Sequence, residues 1–337
     1  MASSGAALAV GGKLVLAGDL GGTKTLLALA SADEPRRLLF ERRYESRRYP
    51  DFFPLLQTFL HEVDASEIQA AVLAAAGPVA NGRCALTYLP WRLDEADLAR
   101  AMGIKRLRLV NDFAAAARGV VDLPDSSRVM LQAGLVRADA PRVVLGAGTG
   151  LGVAALLPRP NGSWEVLAGE GGHVGYAPQT ERELALARFL CQRGGRVSAE
   201  AVLSGSGLVS IYQFLAQERG LDGGARPAGS DPAAAIAPSG LTEPESIAAV
   251  ALDLFVAAYG RFAGDLALLF MARGGIDLAG GIAPKILPRL RQGPFVESFR
   301  AKAEHAGLMP DFPVHVVLEE RLALFGAAAL AAQSCWD

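Results

Sequence analysis

Two glycine-rich turns carry a threonine at matching places. Leu20-Gly-Gly-Thr-Lys24 follows the apolar run Leu14 to Asp19, and Gly146-Ala-Gly-Thr-Gly-Leu-Gly152 follows Val143 to Leu145. Turns of this composition present backbone N–H groups in an anion-binding concavity that side chains do not obstruct. Thr23 and Thr149, 126 residues apart, add hydroxyl donors. Asp19 stands at a strand end, where a carboxylate can orient water on a phosphate-bound Mg2+. A polyphosphate is the ligand such a pair of turns suits. Two familiar nucleotide motifs are excluded. Thr23 precedes Lys24, and its turn leads into a strand, so the turn is no Walker A loop. Leu151 stands where the third glycine of a dinucleotide fingerprint belongs.

A second set of residues could act on hydroxyl groups. Asn111-Asp112 ends the apolar segment Leu107 to Val110. A carboxylate there can take a hydroxyl proton as general base; Asp112 equally suits the N-cap of a helix starting at Phe113. Glu170-Gly-Gly-His173 sets an acceptor three residues before a group that both donates and accepts, with glycines that let backbone approach a small ligand. A structural histidine is the other reading of His173. No second His or Cys lies at metal-ligand spacing, so a protein-held metal is not expected. Glu200 follows Ser198 at an expected helix start, where a carboxylate also favours the helix dipole. Asn111, Asp112, Glu170, His173 and Glu200 together make an acceptor-rich set that suits a polyhydroxylated sugar. His61, His305 and His315 have no comparable surroundings.

The elements that must hold these residues alternate between strand and helix. Strands are expected at 14–19, 25–30, 68–76, 107–110, 143–145, 276–279 and 314–318. Helices are expected at 52–63, from Asp94 as cap to Met102, from Phe113, from the capping box Thr180-Glu-Arg-Glu183 to Gly194, and at 321–332. A longer helical pattern, 245–273, is interrupted by Gly260 and Gly264. Residues 221–241 are rich in Gly, Ala, Pro, Ser and Asp and read as a loop. This alternation is the signature of an α/β protein. The strand, Gly/Thr turn, strand pattern occurs at 14–30 and again at 143–157, which points to two similar halves. A length of 337 residues also suits two domains.

Composition narrows the function. Thirty-three basic and 35 acidic residues leave a net charge of −2, with no overall footprint for nucleic acid. The pairs Arg36–Arg37, Arg42–Arg43 and Arg47–Arg48 are interleaved with Glu34, Glu41 and Glu45 and read as a solvated surface. Cys84, Cys191 and Cys335 form no CxxC pair, so free thiols in a reducing cytoplasm are expected. No apolar stretch of membrane-helix length free of glycine or charge is seen, and no basic leader precedes Gly12. Glycine is in excess, at 38 residues.

Six segments in order carry a resemblance: Gly18-Asp-Leu-Gly-Gly-Thr23, Val110-Asn-Asp-Phe113, Gly146 to Val153, Gly169-Glu-Gly-Gly-His173, Val197-Ser-Ala-Glu200 with Leu203-Ser-Gly205, and Ala279-Gly-Gly-Ile282. Together they resemble the bacterial glucokinase family of the hexokinase/actin-like ATPase superfamily. The resemblance implies two ribonuclease H-like α/β domains around a cleft, with a small domain over 13–111 completed by about 320–337 and a large domain over 112–319. It implies ATP- and Mg2+-dependent phosphorylation of glucose at its 6-hydroxyl, the entry step of glycolysis, by a cytoplasmic homodimer. Asp112 would be the catalytic base. Asn111, Asp112, Glu170, His173 and Glu200 would bind the sugar. Gly18, Asp19, Leu20, Gly21, Gly22 and Thr23, with Gly148, Thr149 and Gly150, would hold phosphates, and Gly280-Gly281 would lie near the adenosine. Thr87-Tyr88 departs from the family, which usually has Asn after the Thr. Three alternatives are a kinase for another hexose, an actin-like ATPase lacking the sugar set, and a sugar-sensing repressor. A repressor of this type carries a DNA-binding domain ahead of the kinase fold, for which the 18 residues before Asp19 are too few.

Overall fold

The computed structural model describes residues 13–63, 68–87, 89–221 and 232–334. The chain divides into two units, Met1–Leu123 with Arg321–Asp337, and Pro124–Glu320. The first boundary therefore falls after Leu123 and not after Asn111. The helix that begins at Asp112 packs on the C-terminal helix, and both belong to the first unit.

In the first unit, β1 (Leu14–Leu20) and β2 (Lys24–Ser31) form a hairpin closed by the turn at 21–23, and β3 (Leu38–Glu45) flanks β2. Helix α1 (Phe52–Glu62) leads to β4 (Ile68–Ala75), which lies parallel to β1. A small sheet of β5 (Val79–Ala80), β6 (Arg83–Ala85) and β7 (Arg92–Asp94) precedes α2 (Glu95–Met102), whose cap is Asp94, accepting from Ala96 N and Asp97 N. Then come β8 (Arg106–Asn111), parallel to β4, and α3 (Asp112–Val121). The main sheet runs β3-β2-β1-β4-β8. Its central strands β2, β1 and β4 are mostly apolar because both faces are buried. Leu14, Leu16 and Leu20 pack with Phe52, Leu55, Leu56 and Phe59, while Val15 and Ala17 pack on the opposite face with Leu324, Ala327 and Ala328. Each such large side chain contributes about 1.5–3 kcal/mol by leaving water.

In the second unit, β9 (Arg128–Gln132) precedes β10 (Arg142–Ala147), β11 (Leu151–Pro158) and β12 (Trp164–Gly169). Helices α4 (Glu181–Gly194), α5 (Gly205–Glu218), α6 (Pro232–Thr242) and α7 (Ile247–Phe270) lead to β13 (Gly275–Ala279), α8 (Leu287–Gln292), α9 (Phe295–Arg300) and β14 (Val314–Val317). The sheet runs β12-β11-β10-β13-β14-β9, with β10, β13 and β14 parallel. The final helix, α10 (Leu322–Ser334), returns to the first unit. The capping box at Thr180 is present, and it reaches further than its motif requires. Glu183, only 1% exposed, accepts from Gln179 N and Thr180 N through Oε2 and from Arg261 through Oε1, at 3.1 and 2.5 Å.

Two sequence expectations change. The loop expected at 221–241 contains helix α6; residues 222–231 lie outside the described residues. Helix α7 runs unbroken past Gly260 and Gly264, because those glycines are where α9 crosses it. A Cβ there would meet Phe295 O at 2.2 Å and Phe299 O at 2.5 Å. By length and composition α7 is also apolar enough to cross a membrane, although Asp253, Gly260, Arg261, Gly264 and Asp265 interrupt its apolar run. It is a core helix, with 72% of its apolar window buried in the protein. Several edge strands (β3, β9, β12) had no sequence signal, since their half-exposed residues neither alternate nor run apolar.

Candidate active site

In the first unit, three parallel strands bring chemistry to one edge of the sheet. Asp19-Leu20 ends β1, Ala75 ends β4 and Asn111 ends β8, and the register aligns Leu20 with Ala75 and Ala75 with Asn111. Asn111, not Asp112, is the cap of α3. Its Oδ1 accepts from Phe113 N (3.0 Å) and Ala114 N (3.1 Å), and its Nδ2 donates to Gly77 O (3.3 Å). With the cap supplied by its neighbour, Asp112 stands in the first helical turn, half-buried, its Oδ1 accepting from Phe113 N at 2.8 Å. The N-terminal end of a helix favours a carboxylate there. Burial pushes the Asp19 carboxyl up to about 6; the neighbouring Asp112 charge adds to the rise and Lys24 opposes it. The thiol of Cys84 is likewise pushed up by burial and by Asp112.

Asp19, half-buried near the end of β1, precedes the turn, with Gly18 and Leu20 on either side of it. Both lie within β1, paired to β2 on one side and β4 on the other. Gly18 is glycine because a Cβ would sit 2.6 Å from Leu73 Cδ2, and the Leu20 side chain is fully buried. Gly21 N donates to Lys24 O (3.0 Å) and closes the turn, which leaves Gly22 and Thr23 at its tip.

The second unit repeats the arrangement. The turn between β10 and β11 puts Thr149 at an exposed tip, with Gly148 N donating to Gly150 O (2.8 Å). Gly280, with φ +81°, bends the chain after β13 beside this turn; a Cβ would meet Ala147 O at 2.6 Å. Ile282 N also donates to Ala147 O (3.2 Å), so the segment after β13 lies against the residue that precedes Gly148. The start of α5 also abuts the turn, Gly205 N donating to Gly148 O at 2.8 Å with Ser204 as cap. The residues alone did not reveal this neighbour; only the segment Leu203-Ser-Gly205 hinted at it.

Glu170, His173 and Glu200 converge next to this turn. His173 Nδ1 lies 3.6 Å from Glu170 Oε2, and its Nε2 lies 3.8 Å from Glu200 Oε1. Glu170 and His173 are open to solvent, with side chains 78% and 60% exposed. Glu200 is not at a helix start. It occupies the turn before α5, where its N–H donates to Gly172 O (2.9 Å) and its Oε2 accepts from Leu151 N (2.8 Å). Gly171 and Gly172 have a packing cause. Their missing side chains let the segment lie on β11, since a Cβ would be 2.7 Å from Val153 Cβ and 2.0 Å from Leu151 O. Asn111 and Asp112 belong to the first unit, and the other three sugar-set residues to the second. Tyr88 lies outside the described residues. Among the described residues no group of three or more His, Cys, Asp or Glu is placed to hold a metal ion.

Comparison with known proteins gives one consistent answer. The family model described as Glucokinase matches residues 16–334. The glucokinase of Nostoc sp. is 39% identical, over 95% of this chain and 99% of its own length. That of Synechocystis sp. is 38% identical, over 95% and 98%. Among solved structures, a glucokinase from an Antarctic psychrotroph is similar with a TM-score of 0.83 and 30% identity, covering 95% of this chain and 99% of that one. A ROK family glucokinase from Streptomyces griseus, solved with glucose and AMPPNP, has a TM-score of 0.65 at 22% identity, covering 95% and 99%, and bears on the fold alone. The fold is the actin-like ATPase type of the sugar kinases.

Proposed function

The chain belongs to the glucokinase family, and from that premise we propose that it transfers the γ-phosphoryl group of ATP to the 6-hydroxyl of D-glucose. The observation that carries this reading is an acceptor cluster adjoining a phosphate-type turn. Glu200 accepts from Leu151 N at the end of the turn while its other oxygen faces His173. Glu170, His173 and Glu200, with Asn111 and Asp112, are assigned to the sugar hydroxyls. Gly21–Thr23 and Gly148–Gly150 are assigned to the phosphates, and Gly280-Gly281 to the adenosine end.

In the reaction the bond from the γ-phosphorus to the bridging oxygen of ADP breaks, and a bond to the sugar O6 forms. Asp112 takes the proton of the 6-hydroxyl and later releases it to water. Little covalent chemistry falls to the protein, so positioning and charge stabilisation supply most of the rate. Asn111 supports this role for Asp112. It meets the capping demand of α3, so Asp112 need not. Mg2+ arriving with ATP would neutralise phosphate charge. Asp19, a half-buried carboxylate at a strand end, fits the role of an acceptor for its water. Asp112→Asn is expected to lower kcat by about 10²–10⁴-fold while glucose still binds, as read by a coupled assay and by calorimetry. Near-normal turnover would overturn the assignment of the base. A panel of hexoses tests the substrate, with glucose turned over in preference to mannose and fructose. The proposal includes a cytoplasmic homodimer, supported by the family resemblance; light scattering at twice the chain mass is the expected result.

A further inference from the structure

We infer that Glu200, besides meeting the sugar, couples sugar binding to the shape of the phosphate turn, so that the residue at position 150 sets glucose affinity even when no nucleotide is present. The inference rests on the proposed assignment of Glu170, His173 and Glu200 to glucose. The Glu200 carboxylate is divided between two tasks. Oε2 accepts from Leu151 N at 2.8 Å, immediately after the turn, and Oε1 lies 3.8 Å from His173 Nε2. A carboxylate accepting a backbone N–H is held more firmly than a neutral acceptor would be. The backbone of Glu200 is pinned as well, since its N–H donates to Gly172 O (2.9 Å) and the Ala199 N–H donates to Val174 O (2.8 Å). With the main chain fixed, the aim of the carboxylate is set by Leu151 N on one side and by the space at Gly150 on the other. A Cβ at Gly150 would stand 2.6 Å from Glu200 Oε2. Gly148, in the same turn, has open space where a Cβ would go. The two glycines are therefore not equivalent: a side chain at position 148 meets open space, and Gly150 makes room for Glu200. Coupling of this kind is reciprocal, so a nucleotide that shifts the turn changes glucose affinity by the same factor that glucose changes nucleotide affinity.

The test is calorimetric titration of glucose in the absence of nucleotide, with thermal melts as a folding check. Gly150→Ala is expected to weaken glucose binding about tenfold, within the usual range for coupled sites, and Gly148→Ala to leave it within about twofold. Equal glucose affinity in Gly150→Ala and wild type overturns the coupling, as does an equal loss in both variants. Should Gly150→Ala fail to fold, Glu200→Gln serves instead. Its dissociation constant for the ATP analogue AMPPNP at saturating glucose, read by calorimetry, is expected to rise about tenfold, and an unchanged constant overturns the inference. Wild-type protein that binds no glucose would instead overturn the functional reading beneath it, so the two failures are distinguishable.

Discussion

Much of the glycine excess has a different cause from the one its motifs suggest. Gly18, Gly150, Gly171 and Gly172 all fall in ligand-type motifs, yet at each of them a Cβ would strike the protein's own atoms: Leu73, Glu200, Val153 and Leu151. The motif and the packing need coincide because strand ends can present polar groups to a ligand only if neighbouring segments lie close behind them. Asp19 gives a prediction at the same scale. Burial pushes its carboxyl up to about 6 in the folded chain, against about 3.9 for an ordinary aspartate, so the folded state holds the proton more tightly than the unfolded chain does. The resulting destabilisation is absent below about pH 4 and complete above about pH 6. Asp19→Asn removes it. Without nucleotide, that variant is expected to be more stable than wild type by about 3 kcal/mol at pH 7 and to converge with it near pH 4. Urea unfolding at the two pH values measures this; a constant difference would count against it.

At the scale of elements, α3 and α10 cross at glycine. A Cβ at Gly326 would be 1.7 Å from Ala115 O, and one at Gly119 2.2 Å from Leu322 O. The atoms met are backbone, which cannot turn aside as a side chain can. Gly326→Ala is therefore expected to cost roughly 1–3 kcal/mol or more, seen as a lower urea midpoint. Gly119→Ala should behave alike. The first helix turn of α3 carries Asp112, so a forced shift of α3 should also lower kcat in chains that remain folded. These crossings were not legible in the sequence. Gly260 and Gly264 look like helix breaks in a linear pattern, and only the partner strand or helix shows that a glycine marks contact. Caps, by contrast, were legible wherever the partners are local, as at Asp94 and Thr180. At α3 both the helix start and the cap lie one residue before the expected positions, at Asp112 and Asn111 in place of Phe113 and Asp112. Asn111 and Asp112 are both good caps, and the tie is settled by Asn111 also reaching Gly77 across the strand ends.

At the scale of the whole molecule, the first unit is discontinuous and the second is one continuous stretch, Pro124–Glu320. Helix α10 covers one face of the first sheet, where Leu324, Ala327, Ala328 and Ala331 meet Val15, Ala17, Ala28 and Ala30. A chain ending at Glu320 leaves that apolar face uncovered. Limited proteolysis of such a chain should degrade residues before Leu123 and spare a fragment of about 124–320. Resistance of both portions would show that the first unit folds without its last helix. The same fragment, expressed alone, is expected to melt cooperatively by circular dichroism.

The sequence by itself determined the alternation of strand and helix, the two glycine turns, the carboxylate after β8 and the family, because all of these are local patterns of apolar period and turn composition. The tertiary structure decided what those patterns could not contain. It assigned the cap of α3 to Asn111, confined the first turn to Gly21–Thr23, moved Glu200 off a helix start and onto Leu151 N, and gave α3 to the first unit. Each of these depends on which atoms meet across tens or hundreds of residues. Such meetings are fixed by sheet register and helix crossing, which no short window of sequence records.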